Sequence, residues 1–296
     1  MIGYKGFDKN FCCHGFQFEV GKTYKHDGKL KLCESGFHFC RNPLAVFQFY
    51  PPTNGNRYAL VETTSKIIFA QDETYKACTD EITIVRELSI DEMILVLVKG
   101  EKLDANGDSA VVTKTSELSA VSISGYQSAA INTGNFSTAI SDGNRSVAVN
   151  TGDYSVSGSN HHRSASVNTS ESSVARNIGD FSIATNTGEN STAITSGHFS
   201  VASTVGNESE SKVTGNSSVA VSTGRASMAI VSGERSIAVA SGPASSAKGA
   251  IGCWLVLGEW DSSKLIDVQA FKVDGKIIKP NTFYRLAGGE PVEVDD

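Results

Sequence analysis

Residues Gly215-Asn216-Ser217-Ser218-Val219-Ala220-Val221-Ser222-Thr223 and the nine that follow, Gly224-Arg225-Ala226-Ser227-Met228-Ala229-Ile230-Val231-Ser232, are two copies of one phrase, G-x-x-S-x-A-x-x-T. The phrase runs outward in both directions. Glycine falls on the same nine-residue grid at 107, 125, 134, 143, 152, 179, 188, 197, 206, 233 and 242, with Ser116, His161 and Ser170 in the vacancies. A serine stands three places after each grid position from Ser119 to Ser245, and Ala or Ser follows two further on in nearly every copy. A Ser/Ala/Thr/Asn/Gly composition without proline between Pro52 and Pro243 is common in disordered linkers, but a strict period marks stacked repeats.

Nine residues are too few to close a coil of two facing strands and two turns. Two units per coil fit, and the sequence supports them independently. Asn132-Thr133, Asn150-Thr151, Asn168-Thr169 and Asn186-Thr187 recur every eighteen residues, while the units between carry Ser141-Asp142, Ser159-Asn160 and Asn177-Ile178. The expectation is a parallel β-solenoid of about eight coils, roughly 40 Å long at about 4.8 Å per stacked strand.

Alternation along S-x-A-x leaves two packings. Turning the intervening residues inward buries Arg176, Glu210, Lys212 and Lys248, which is costly. The preferred packing turns Ser and Ala inward. One flank then shows Val147/Val149, Ala165/Val167, Val219/Val221 and Ile237/Val239, and the other carries Val174/Arg176, Glu210/Lys212 and Ser246/Lys248. The first flank is apolar and the second solvated. An apolar stripe along a rod is an association surface, so Val147, Val149, Val167, Val219, Val221, Ile237 and Val239 are candidate interface residues of a dimer or trimer. The S-V-A-V wording of Ser146 to Val149 and Ser218 to Val221 resembles the head repeats of trimeric autotransporter adhesins, which form trimeric β-rolls and whose repeats are longer. That resemblance implies self-association; in those adhesins the large residues can be the inward set, which is the other packing.

Residues 1–104 are expected to form a small α/β head. Tyr4 to Phe7, Gly15 to Val20, Gly36 to Cys40, Arg57 to Glu62 and Glu81 to Arg86 are β-prone runs. Pro43 to Tyr50 suits a short helix capped by Asn42, and Ser89 with Glu92 caps a second helix reaching Val98. Lys5-Gly6-Phe7, Cys13-His14-Gly15-Phe16-Gln17-Phe18-Glu19-Val20-Gly21-Lys22-Thr23-Tyr24 and Leu32-Cys33-Glu34-Ser35-Gly36-Phe37-His38-Phe39-Cys40-Arg41-Asn42-Pro43-Leu44 resemble an uncharacterised family of bacteriophage and prophage proteins. Members tend to carry T-G-x-x-S-x-A repeats and an ending like Gly252-Cys253-Trp254-Leu255-Val256-Leu257. The resemblance implies phage origin, with residence in the host cytoplasm or on the virion, and brings no activity with it.

Four chemical readings of the chain compete with plain packing. Cys13, Cys33, His38 and Cys40 could form a zinc set, but the spacing lacks a short C-x2-C pair, so packing thiols are preferred and no metal is expected. Gly36-Phe37-His38-Phe39 followed by Pro43 to Tyr50 resembles the glycine-aromatic strand and helix of ADP-ribosyltransferases, whose catalytic residues do not map here. A cleft between Tyr4 to Phe7 and Gly36 to Tyr50 would be the place for a ligand, with Tyr4, Lys5, Phe37, His38 and Tyr50 as its candidate residues. Gly21-Lys22-Thr23 lacks the glycine and helix of a phosphate loop, and His161-His162 reads as an exposed turn.

Residues 251–296 turn apolar, with Trp254 and Trp260, and should form a β cap over the end of the 105–250 solenoid. Asp274-Gly275 and Gly288-Gly289 are expected hairpin turns. A net charge of −6 without Lys/Arg clusters argues against nucleic acid, and no apolar run is long enough for a membrane helix. With five of six cysteines in the first 78 residues, reduced thiols are expected. These features favour a binding or assembly protein without a cofactor, acting on a small molecule or host protein, over an ADP-ribosyltransferase-like enzyme or a counter-defence protein that sequesters a host nucleotide signal.

Overall fold

The computed structural model describes residues 1–51, 55–70, 75–89, 92–93, 102–105, 108–117 and 119–295. The chain divides into two compact units, Met1–Glu101 and Lys102–Asp296.

Among the described residues the first unit is β-rich rather than α/β. Its seven-stranded antiparallel sheet runs in the order Thr23–Lys25, Glu81–Leu88, Arg57–Glu62, Ile2–Phe7, Phe37–Cys40, Lys76–Thr79 and Ile67–Phe69. Phe7, Phe11, Phe18, Phe39, Val61, Ile82 and Ile84 form its core. The helix expected over Pro43 to Tyr50 is a 3-10 segment, Leu44–Gln48, with the Asn42 side chain accepting from the Ala45 N–H at 3.4 Å. Pro51 disfavours helical geometry at Tyr50, so the segment stops short of it. Of the second expected helix, the Ser89/Glu92 capping box is present, with reciprocal bonds of 2.9 and 3.2 Å; residues 94–98 lie outside the described residues. Gly15 to Val20 contributes only Phe16–Gln17, paired with Cys12–Cys13.

In the second unit, four-residue strands alternate between two parallel sheets, and each pairs with the strand eighteen residues on, as Val147 with Ala165 and Val156 with Val174. The solenoid therefore has two nine-residue units per coil and about eight coils over residues 111–257. Ser and Ala point inward: Ala130, Ala139, Ala148, Ala184 and Ala193 are fully buried, as are Ser137, Ser146 and Ser155. Small side chains inside let the two sheets close on each other.

Three ladders explain the phrase. From Ser137 to Ser236 each repeat serine donates its hydroxyl to the carbonyl at the grid position of the previous coil, a glycine except at Ser116, His161 and Ser170, and accepts the N–H of the serine there, as Ser155 does with Gly134 at 3.3 Å and Ser137 at 3.0 Å. Glycine is required by close stacking, since a Cβ at Gly143 or Gly197 would meet the carbonyl oxygen one coil below at 1.9 or 2.1 Å. The left-handed turn residue comes two places later and is not glycine, as at Phe136, Arg145 and Tyr154. Asn132, Asn150 and Asn186 reach across the interior to Ser119, Ser137 and Ser173 carbonyls and accept from the glycine two residues on, which explains three members of the eighteen-residue recurrence; the buried Asn168 amide, where Ser170 replaces that glycine, has no hydrogen-bond partner.

The last strands close the end. Trp254–Asp261 pairs with Lys264–Lys272, and Phe283–Ala287 with Glu290–Val294. Cys253, Leu255, Leu257, Val273, Ile278 and Tyr284 replace the small interior with large side chains. Gly288-Gly289 forms its hairpin turn, but Asp274-Gly275 does not. The Asp274 carboxylate collects the N–H groups of Lys276, Ile277 and Ile278, curling the chain instead of pairing it.

Candidate functional site

A cavity of about 480 Å³ opens in the first unit, and Tyr4, Lys5, Phe37, His38 and Tyr50 all line it. Strand Ile2–Phe7 brings Tyr4 and Lys5, strand Phe37–Cys40 brings Phe37 and His38, and the 3-10 segment leads into Tyr50. Gly6 explains the close fit of the last of these, because a Cβ there would lie 2.5 Å from the Tyr50 ring. The volume is within the range of small-molecule sites.

Lys5 is the most constrained charge in the cavity. It is 5% exposed, donates to the His38 carbonyl at 2.8 Å, and lies 3.5 Å from the Cys13 sulfur. Its ammonium also sits 5.3 Å from the Phe18 ring centre. Burial pulls its pKa down, and the nearby Cys13 opposes that shift. Tyr50 donates its hydroxyl to the same sulfur at 3.1 Å, and burial first, then Cys13, pushes the phenol pKa up. Cys13 thus stands between an ammonium and a phenol, a residue the five candidates omitted although its neighbours in sequence pointed to it as a packing thiol.

His38 is neutral over the physiological range. Its Nε2 accepts the Cys33 N–H at 2.7 Å, and burial, then the charges of Lys5 and Lys76, lower its pKa to about 4. Burial raises the Cys40 thiol to about 12 and that of Cys78 to about 11. The zinc set does not assemble: His38 Nε2 is engaged by the backbone, and among the described residues no three His, Cys, Asp or Glu side chains are placed to hold a metal. All six cysteines are free thiols. Cys33 and His14, both lining the cavity, are held at φ 64 and 50.

Lys76 is the second cation here and was not singled out by sequence reading. Its strand, Lys76–Thr79, pairs with Phe37–Cys40, setting its ammonium 3.9 Å from the Phe49 ring centre and 3.5 Å from the Cys33 sulfur. Nothing local in the sequence around Lys76 marks it; only the sheet pairing brings it to the cavity.

On the solenoid, Val147, Val149, Val167, Val219, Val221, Ile237 and Val239 share the outer face of the ten-stranded sheet, all half-buried except Ile237 at 37% exposure. The opposite flank departs from the solvated expectation. Arg176, Glu210 and Lys248 are half-buried and Lys212 exposed, yet Thr138, Val156, Val174 and Thr192 are buried. His161 and His162 lie in an exposed turn, with His162 Nδ1 accepting the Asp180 N–H at 3.2 Å.

Among the described residues no helix is long and apolar enough to cross a membrane. No curated protein and no solved structure matches the chain. Residues 1–96, the part that carries the cavity, match the family model described as Domain of unknown function (DUF7666).

Proposed function

We propose that the protein is a phage-encoded, non-enzymatic binding protein: its solenoid self-associates, and the assembly displays several copies of a small-ligand-binding head. The observation that carries this reading is the apolar column on the ten-stranded sheet. From Val111 through Val147, Ile183 and Val219 to Trp254, one outward column in register stays apolar over nine strands, while the column beside it, with Val149, Val167, Val221 and Val239, is interrupted by Thr113, Thr185 and Ser203. Val111 is 65% exposed and Trp254 44%. The face measures roughly 40 by 13 Å, about 500 Å² before side-chain relief. With the turn edges beside it, that area approaches the roughly 800 Å² per partner of a stable interface.

A second copy of the chain suits the edges as well. Turns leaving the ten-stranded sheet carry Glu117, Asp153, Glu171, Glu189, Glu208 and Arg225, mostly acidic, and turns leaving the other sheet carry Asp142, Arg145, His162, Arg163, Asp180, Glu234 and Arg235, of mixed sign. A rotation axis parallel to the rod brings the first edge of one copy to the second edge of the next. Asp153 then lies at the height of Arg145 and Arg163, and Arg225 near that of Glu234. An antiparallel pair brings like edges together. Parallel association also puts the first coils of the copies at one end, and several heads in one assembly multiply weak ligand contacts by avidity. Phage origin, and residence in the host cytoplasm or on the virion, rest on the resemblance of the Cys13 to Leu44 motifs.

Light scattering of the full chain tests the assembly. A mass of two or three times 31.3 kDa is expected, and Val149→Lys with Val221→Lys should give monomers. An assembly unchanged by both substitutions overturns the proposed interface.

A further inference from the structure

The cavity of the head is lined by two ammonium groups, Lys5 and Lys76, and one carboxylate, Glu34. No acidic side chain is among the groups acting on Lys5; its partners are a carbonyl, a thiol and the rings of Phe7 and Phe18. Lys5 donates to the His38 carbonyl at 2.8 Å, and Lys76 lies 3.5 Å from the sulfur of Cys33, whose N–H donates to His38 Nε2, so both ammonium groups flank one histidine. His38 stays neutral and so adds no positive charge of its own. A buried ammonium without a counter-anion is costly, and an anion entering the cavity offsets that cost. Aromatic rings, among them Phe16, Phe37, Phe49 and Tyr50, make up much of the remaining wall. Flat faces of this kind favour a planar partner.

We infer that the cavity binds a small anion bearing a flat aromatic group, its charge toward Lys5 and Lys76 and its ring against the aromatic wall. The inference rests on the ligand-binding reading of the head and names the chemical class that reading leaves open. Cys13 lies beside the anion end of the site, 3.5 Å from the Lys5 ammonium, so an occupant covers it. Cys12 is outside the cavity lining and serves as an internal reference.

Calorimetric titration of the full chain with phenyl phosphate, benzoate and adenosine monophosphate, each beside a neutral counterpart (phenol, benzyl alcohol and adenosine), tests the class. At least one anion should bind about tenfold tighter than its counterpart. Lys5 is packed in the core, so Lys76→Met carries the mutational arm and should remove most of that preference without weakening the neutral compound. On the unaltered protein, the bound anion should slow alkylation of Cys13 by iodoacetamide, read by mass spectrometry, and leave Cys12 unchanged. Equal binding of a neutral compound and its anion overturns the inference while the head remains a binding module. If no compound of either kind binds or protects Cys13, the ligand-binding reading falls with it.

Discussion

The hydroxyl of Ser146 donates to the carbonyl oxygen of Gly125, one coil below, at 2.9 Å. The Ser146 hydroxyl in turn accepts the Ser128 N–H at 3.1 Å, so one side chain ties neighbouring coils through two bonds. Hydroxyls repeated in this way do for the narrow interior what large apolar side chains do in an ordinary core.

Replacing Ser146 with Ala removes both bonds and leaves the buried Ser128 N–H without its acceptor. The expected cost is about 2 kcal/mol, read as a lower midpoint for the solenoid in thermal or denaturant unfolding. A loss indistinguishable from zero contradicts the ladder.

Ser159 offers the opposite case. Its hydroxyl is buried and has no hydrogen-bond partner, whereas Asn177, the next residue in the same inward column, donates through its amide nitrogen to the Ser164 and Ile183 carbonyls at 3.0 and 3.1 Å and leaves only its Oδ1 without a partner. Ser159→Asn should find the equivalent carbonyls of Ser146 and Ala165. A gain of about 1 kcal/mol is expected, and destabilisation would show that the column has no room for a second amide.

The head should weaken in acid through His38. Its folded pKa of about 4 is below the ordinary 6.5, so the unfolded chain binds the extra proton first. Stability contributed by the neutral ring is full above pH 6.5 and is lost as pH falls toward 4. The ring is only half-buried, so the loss is on the order of 1 to 2 kcal/mol. Unfolding of His38→Gln should lack this pH-dependent component; an identical profile in both proteins assigns the effect elsewhere.

Much of the solenoid is legible in the sequence because each position of the phrase answers to one local demand. Gly143 shows glycine where backbones touch, Ser146 shows the hydroxyl staple, and Asn150 shows the amide that recurs once per coil. The turn conformation is less legible. Left-handed geometry falls on Phe136 and Arg145, residues whose types do not announce it, because inter-coil bonds such as Phe136 N–H to the Asp153 carbonyl hold the turn. The buried Val156 and Val174 of the flank expected to be solvated are likewise invisible in a nine-residue pattern, which records only neighbours along the rod. In the head, Tyr4, Lys5, Phe37, His38 and Tyr50 are readable as motif residues, while Lys76 reaches the cavity only through long-range strand pairing. Cys13 is readable as a residue and not as a partner of Lys5, a relationship that depends on the third dimension.

The parallel assembly is tested most directly by distances between copies. Nitroxides attached to a ketone-bearing amino acid at Gln127, and in a second protein at Ser217, sit on the same turn edge about five coils apart. Electron-spin distance measurements should give the same inter-copy separation at both sites, because a parallel, in-register assembly keeps each residue at the height of its counterpart. Separations that differ by roughly 10 Å between the two sites, as an antiparallel pair about the rod centre requires, or the absence of any inter-copy signal, would contradict the account.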